Sequence, residues 1–167
     1  VTMMMINTGI GADVVIAQDI AATTTINLGT GADEAQLRSE RSGTTLVVNG
    51  GNGQDLIEID RSGASSTTRI VGGTGQDTVR VAGARIPISA TTILDATDTD
   101  TAPFDLLVFD PGSTSPDAFQ FSPAGANPNP VAGTLQSGTR TGATFTPTAG
   151  LVQYSNFEGV QVVSAPI

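Results

Sequence analysis

The sequence has no cysteine, histidine, lysine or tryptophan among its 167 residues. Without cysteine there is no disulfide framework and no thiol chemistry. Without histidine or lysine a nucleophilic triad has no base. The seven basic residues are all Arg and face 16 acids, for a net charge of −9 and a pI near 4.1. Phosphate backbones need clustered Lys and Arg, so nucleic acid is a poor partner. An acidic surface suits solubility and divalent cations. No run of ~18 apolar residues is present, so no membrane-spanning helix is expected. Proline is absent from the first half, since all nine prolines fall from Pro87 onward. Helix formers rarely fall at helical spacing, whereas Gly, Thr, Val and Ile dominate, and this composition reads all-β.

What is present is a repeat. A Gly-x-Gly-x-Asp element occurs four times, at Gly9, Gly11 and Asp13, at Gly29, Gly31 and Asp33, at Gly51, Gly53 and Asp55, and at Gly73, Gly75 and Asp77. The aspartates step by 20, 22 and 22 residues. Three residues before the first aligned glycine stand Ile6, Ile26, Val48 and Ile70. Two and four residues after the aspartate stand Val15 and Ala17, Ala35 and Leu37, Ile57 and Ile59, and Val79 and Val81. Polar residues separate them, a period-2 pattern on both sides of a turn. Each repeat is therefore strand, glycine turn, strand and return, one coil of a parallel β-solenoid (β-helix) of 20–22 residues. A single coil leaves its strand edges and apolar face open, and stacking covers both.

The register predicts outward columns. Ile16, Gln36, Glu58 and Arg80 should stack, placing Glu58 over Arg80 and Arg38 over Asp60. Asn7, Asn27 and Asn49 should form an asparagine ladder that Val71 interrupts, and Thr23, Thr45 and Thr67 a threonine ladder. Residues 1–85 form the regular coils. Residues 86–167 read as degenerate coils and loops of the same domain, with a separate small sandwich as the alternative. Ala90–Asp100 is a strand entering a turn without glycines, and Asp105–Phe121 a further degenerate coil that includes Asp117, Phe119 and Phe121. A hairpin is expected around Ser137–Gly142, and two strands around Asn156.

The motifs NGGNGQDLIEI and VGGTGQDTVRV resemble the hemolysin-type (RTX) calcium-binding repeat, Gly-Gly-x-Gly-x-Asp-x-apolar-x. The first two copies carry Thr8 and Leu28 in place of the first glycine. That family's tight form places a turn on both edges of a shorter coil; here the turn recurs every 20–22 residues, on one edge only. The chain looks more like long-coil variants in large bacterial surface and secreted proteins, an impression strengthened by the Tyr-x-x-x-Glu-x-apolar spacing of YSNFEGVQV. The resemblance implies an extracellular or cell-surface location and calcium held between turns by Asp13, Asp33, Asp55 and Asp77 with Gly9, Gly11, Gly29, Gly31, Gly51, Gly53, Gly73 and Gly75.

One carboxylate per turn implies weak calcium binding, roughly 10⁻⁴ to 10⁻³ M. The same residues also serve a purely structural turn, with Gly at positive φ and Asp capping backbone amides. The turn is no P-loop, because Lys and Ser/Thr are missing and no helix follows. DATDTDT, from Asp95 to Thr101, is either a second cation site or a solvated loop. The nearest polar cluster, Arg38, Glu58, Asp60 and Arg80, is better explained by ladder pairing than by catalysis, so no enzyme is expected. The ends VTMMMI and VQVVSAPI carry no polar cap. The expectation is a structural unit stacking head-to-tail, on copies of itself or adjacent repeat units, in a fibre, sheath or adhesin array. A polysaccharide-binding or polysaccharide-cleaving β-helix is the alternative, and would show an open groove of aromatics and acids in the C-terminal half. Val1 in place of an initiator methionine fits a trimmed segment or a piece of a longer polypeptide.

Overall fold

The structure, a computed structural model, describes residues 3–38, 40–97, 105–110, 118–123 and 131–163. Four regular coils stack, each a longer strand, a glycine corner and a four- or five-residue strand. They are β1 (Met3–Ile10) with β2 (Val14–Ala17), β3 (Thr23–Thr30) with β4 (Glu34–Leu37), β5 (Thr45–Asn52) with β6 (Leu56–Ile59), and β7 (Thr67–Thr74) with β8 (Thr78–Ala82). A single 3₁₀ turn follows at Gly83–Arg85. Then come β9 (Thr91–Thr97), β10 (Leu106–Asp110), β11 (Ala118–Pro123), β12 (Val131–Thr141), β13 (Thr144–Pro147), β14 (Leu151–Phe157) and β15 (Gly159–Val162). The longer strands form one sheet in the order β1-β3-β5-β7-β9-β14-β12-β11, with β13 beside β12. The shorter strands form a second sheet, β15-β10-β8-β6-β4-β2.

The period-2 pattern produces this arrangement directly. Parallel in-register pairing places like residues one coil apart, so each inward position becomes an apolar column. Ile6, Ile26, Val48, Ile70 and Leu94 form one column, which Tyr154 extends. Val15, Ala35, Ile57, Val79 and Leu107 form another, and Ala17, Leu37, Ile59, Val81 and Phe109 a third. The core they enclose is fully buried from Ile26 through Phe157.

The outward columns also follow the repeat. Ile16, Gln36, Glu58 and Arg80 align, and Arg80 lies 3.5 Å from Glu58 and 3.4 Å from Asp110. Asn27 Nδ2 donates to Asn7 Oδ1, and Asn49 Nδ2 to Asn27 Oδ1, each at 2.6 Å. Thr67 pairs in register with Thr45, and Thr91 with Thr67. One expected pair re-partners: Asp60 meets Arg85 at 2.5 Å, and Arg38 donates to Gln36 at 2.7 Å. The 3₁₀ turn carries Arg85 back along the coil stack to within reach of Asp60.

Both sheets continue past residue 85, because β9 pairs with β7 and β10 with β8. The strands β14 and β15 add a sixth layer to both sheets. The last strands depart from the coil pattern. Phe119 and Phe121 lie in β11, which pairs antiparallel with β12 and is not a coil strand. β12 and β13 form an antiparallel hairpin with Gly142 at φ +61°. β12 also lies antiparallel along β14, from Val131 opposite Phe157 to Leu135 opposite Val152. Asp98, Asp100, Phe104 and Asp117 lie outside the described residues. No helix among the described residues is long and apolar enough to cross a membrane.

Candidate functional site

The corners are built by glycine. Gly9, Gly29, Gly51 and Gly73 adopt φ from +103° to +119°, a region that side-chain-bearing residues avoid. Close stacking adds a second requirement. A Cβ on Gly29, Gly31, Gly51, Gly53, Gly73 or Gly75 would lie 1.8–2.1 Å from a glycine carbonyl oxygen of the preceding coil. Main-chain bonds tie the same corners together: Gly11 N–H to Thr30 C=O, Gly31 to Asn52 and Gly53 to Thr74, at 2.8–2.9 Å.

The chain turns inward after the corner and buries the aspartates. Asp33, Asp55 and Asp77 are 1–3% exposed. Their carboxylates form a directed column, each Oδ1 accepting the backbone N–H of the equivalent residue one coil earlier. Asp13 N–H donates to Asp33 at 2.8 Å, Asp33 to Asp55 at 3.0 Å, and Asp55 to Asp77 at 3.0 Å. The column runs on through two residues that lie outside the glycine motif. Asp77 N–H donates to Asp105 at 2.7 Å, and Asp105 N–H to Glu158 Oε2 at 2.8 Å. A sequence signal for both existed: Asp105-Leu-Leu-Val-Phe and Glu158-Gly-Val-Gln-Val repeat the acid-x-apolar-x-apolar spacing without the glycines.

The column's chemistry is that of buried carboxylates held by amide donors. Charge-assisted bonds of this kind are about twice as strong as neutral ones. Burial nevertheless raises the Asp55 carboxyl above its ordinary value, the Asp33 backbone bond opposes that rise, and the Asp33 charge adds to it. The second oxygens of Asp13, Asp33 and Asp55 are buried and make no hydrogen bond. Asp55 Oδ2 would stand 2.5 Å from a Cβ on Gly50, and Asp77 Oδ2 2.6 Å from one on Gly72. The extra glycine of the third and fourth corners thus makes room for the carboxylate of its own coil.

As placed, the aspartates by themselves do not make up a complete calcium shell. Calcium takes about six to eight oxygens, and in Asp33, Asp55 and Asp77 Oδ1 is already engaged by an amide of the coil before. The glycine carbonyls face glycine Cα atoms of the next coil, and among the described residues no group of three or more acids could hold a metal. Asp95 is likewise absorbed in the fold. It accepts from Asn156 Nδ2 at 2.8 Å and lies 3.7 Å from Arg69.

A further buried acid escaped the sequence pattern. Glu40 Oε2 accepts from Thr68 at 2.8 Å and Ser66 at 3.2 Å, closing the return edge with hydroxyls. In the C-terminal half, Phe109, Tyr154 and Phe157 are buried, and burial pushes the Tyr154 hydroxyl up to about 12. An open depression of about 400 Å³ is lined by Arg61, Ser62, Arg85, Ile86, Pro87 and Thr148, with no acid or aromatic among them.

The conspicuous surface is the first coil. Met3, Met4, Met5, Ile10, Val14 and Ile16 are 40–85% exposed, and Ile88 is the sole exposed large apolar residue elsewhere among the described residues. Met4 aligns with Thr24, which is fully buried, so even an inward position of this coil lacks cover. The strands MMMINTGI and VVIA carry no charge, although charge is the usual protection of a sheet edge. The opposite end differs, because β12 covers β14 in the longer-strand sheet while β15 ends the other. Compared with family models, curated proteins and solved structures, the chain matches none.

Proposed function

We propose that this chain is a structural, non-catalytic β-solenoid unit that works by coil-on-coil assembly through its first coil, within an extracellular fibre, sheath or adhesin array. The gathering of six of the seven exposed large apolar side chains among the described residues on an uncharged strand edge carries the proposal. Monomeric proteins seldom leave such a patch bare. The far end is unlike the first: β12 occupies the place a stacked copy's β1 would take beside β14, so in the longer-strand sheet only the first coil is open to a further coil. Burial of Phe109, Tyr154 and Phe157 weighs against an aromatic sugar-binding groove.

Sedimentation and negative-stain microscopy of the purified chain test this. Weak, concentration-dependent association through the apolar edge alone, without the column bonds of a matched coil, is expected for the isolated chain and lost in Ile16→Lys, which places a charge on that edge. A chain that stays monomeric at every concentration while binding glycans would refute it.

A further inference from the structure

We infer that the open first coil is the docking face for one more parallel coil of the same Gly-x-Gly-x-Asp type, supplied by an adjacent repeat unit. The inference rests on the structural reading above and names the partner. Three directed columns end at this coil, and each specifies what comes next. In the acid column every carboxylate accepts an N–H from the coil before, so Asp13 Oδ1 is set to accept the N–H of an incoming aspartate position. In the asparagine column every Nδ2 donates to the coil before, so Asn7 Nδ2 is set to donate to an incoming amide oxygen. At the corner, Gly9 and Gly11 hold φ +105° and +108° with nothing within 4 Å of a Cβ. In the inner coils that space is filled by corner carbonyls.

The columns have direction, and this selects among occupants. A parallel coil presents N–H to Asp13 and an oxygen to Asn7. A second copy turned end-for-end reverses that polarity and brings its own Asp13 carboxylate to the same edge. The far end of a second copy has β12 antiparallel on β14 where the mating strand would enter. An adjacent repeat unit with a glycine corner meets all three requirements.

The test extends the full chain with a duplicate of residues 43–64 placed directly ahead of Val1. Its corner then stands 22 residues before Gly9, the spacing of coils two to four. The alternate Met3–Ile10 amides that point away from β3 should exchange at least about tenfold more slowly. The Tm should rise by about 3 °C or more. Gly11→Ala supplies the second measurement. It meets no atom in the starting chain, but an incoming carbonyl in the extended one, so it should lower the extended chain's Tm at least twice as much. Unchanged exchange and Tm on extension, or an equal Gly11→Ala effect in both chains, would overturn the assignment. If the starting chain self-associates while the duplicate fails to dock, the structural function stands and the partner is wrong. If the duplicate docks but neither form assembles, the partner stands and the structural function falls.

Discussion

Replacing Gly53 by alanine isolates the forces that set the coil corner. Its φ is +134°, and a Cβ there would lie 1.8 Å from the Gly31 carbonyl oxygen and 2.7 Å from its carbon. The obstacle is backbone of the neighbouring coil, so relief requires the two coils to part at the corner. Strain at such a φ costs about 1–3 kcal/mol. Parting these two coils weakens the Gly31-to-Asn52 bond between them, which contributes about 1 kcal/mol. The sum is about 2–4 kcal/mol, a large share of the ~5–15 kcal/mol that holds a domain folded. Two controls separate the contributions. Gly43 has φ +73° with open space around it, and Gly11 has φ +108° with the same freedom. Alanine at Gly43 should cost about 1–2 kcal/mol, with Gly11 between the two. Urea unfolding at constant m-value measures all three. If Gly53→Ala costs no more than Gly11→Ala, close carbonyl stacking does not constrain the corner and the argument fails.

Three other outcomes are expected. Burial raises the Asp55 carboxyl, so its contribution favours the fold below the ordinary carboxylate value of 3.8 and is lost as pH rises through the higher folded value. Urea midpoints measured from acid to neutral pH should therefore fall more steeply for the natural chain than for Asp55→Asn, and equal slopes would contradict the assignment. Because the corner aspartates face inward as amide acceptors, ~2 mM calcium should move the Tm by less than about 1 °C; a larger rise would restore them as metal ligands. Arg80 is 49% exposed between Glu58 and Asp110, so Arg80→Ala should cost no more than about 1 kcal/mol, shrinking further in high salt; a loss well above that in double-mutant cycles would show a stronger network.

Coil length, strand order within the four regular repeats and the core columns are legible in the sequence. A side-chain period of 2 together with a 20–22-residue spacing decides which positions face inward and which residues lie one coil apart. Hence Glu58 meets Arg80 and Asn27 meets Asn7, as the alignment requires. The glycines were legible as corners for the same reason. Where the repeat decays, local pattern no longer decides. Phe119 and Phe121 alternate as a coil strand would, yet their strand runs antiparallel to β12, because pairing between distant segments depends on which edges remain open. The partner of Asp60 was also beyond reach, since Arg85 arrives by a turn whose path the alignment does not contain. Gly-x-Gly-x-Asp reads equally as metal turn or backbone cap, and only tertiary structure shows the carboxylates turned inward onto amides one coil away. The sequence by itself determined a stack of parallel coils, because periodicity is local and repeated. Tertiary structure alone decided the direction of the acid column, because spacing does not say which carboxylate accepts from which amide, and the contrast between a bare first coil and a covered β14, because that rests on contacts between chain segments that share no local pattern.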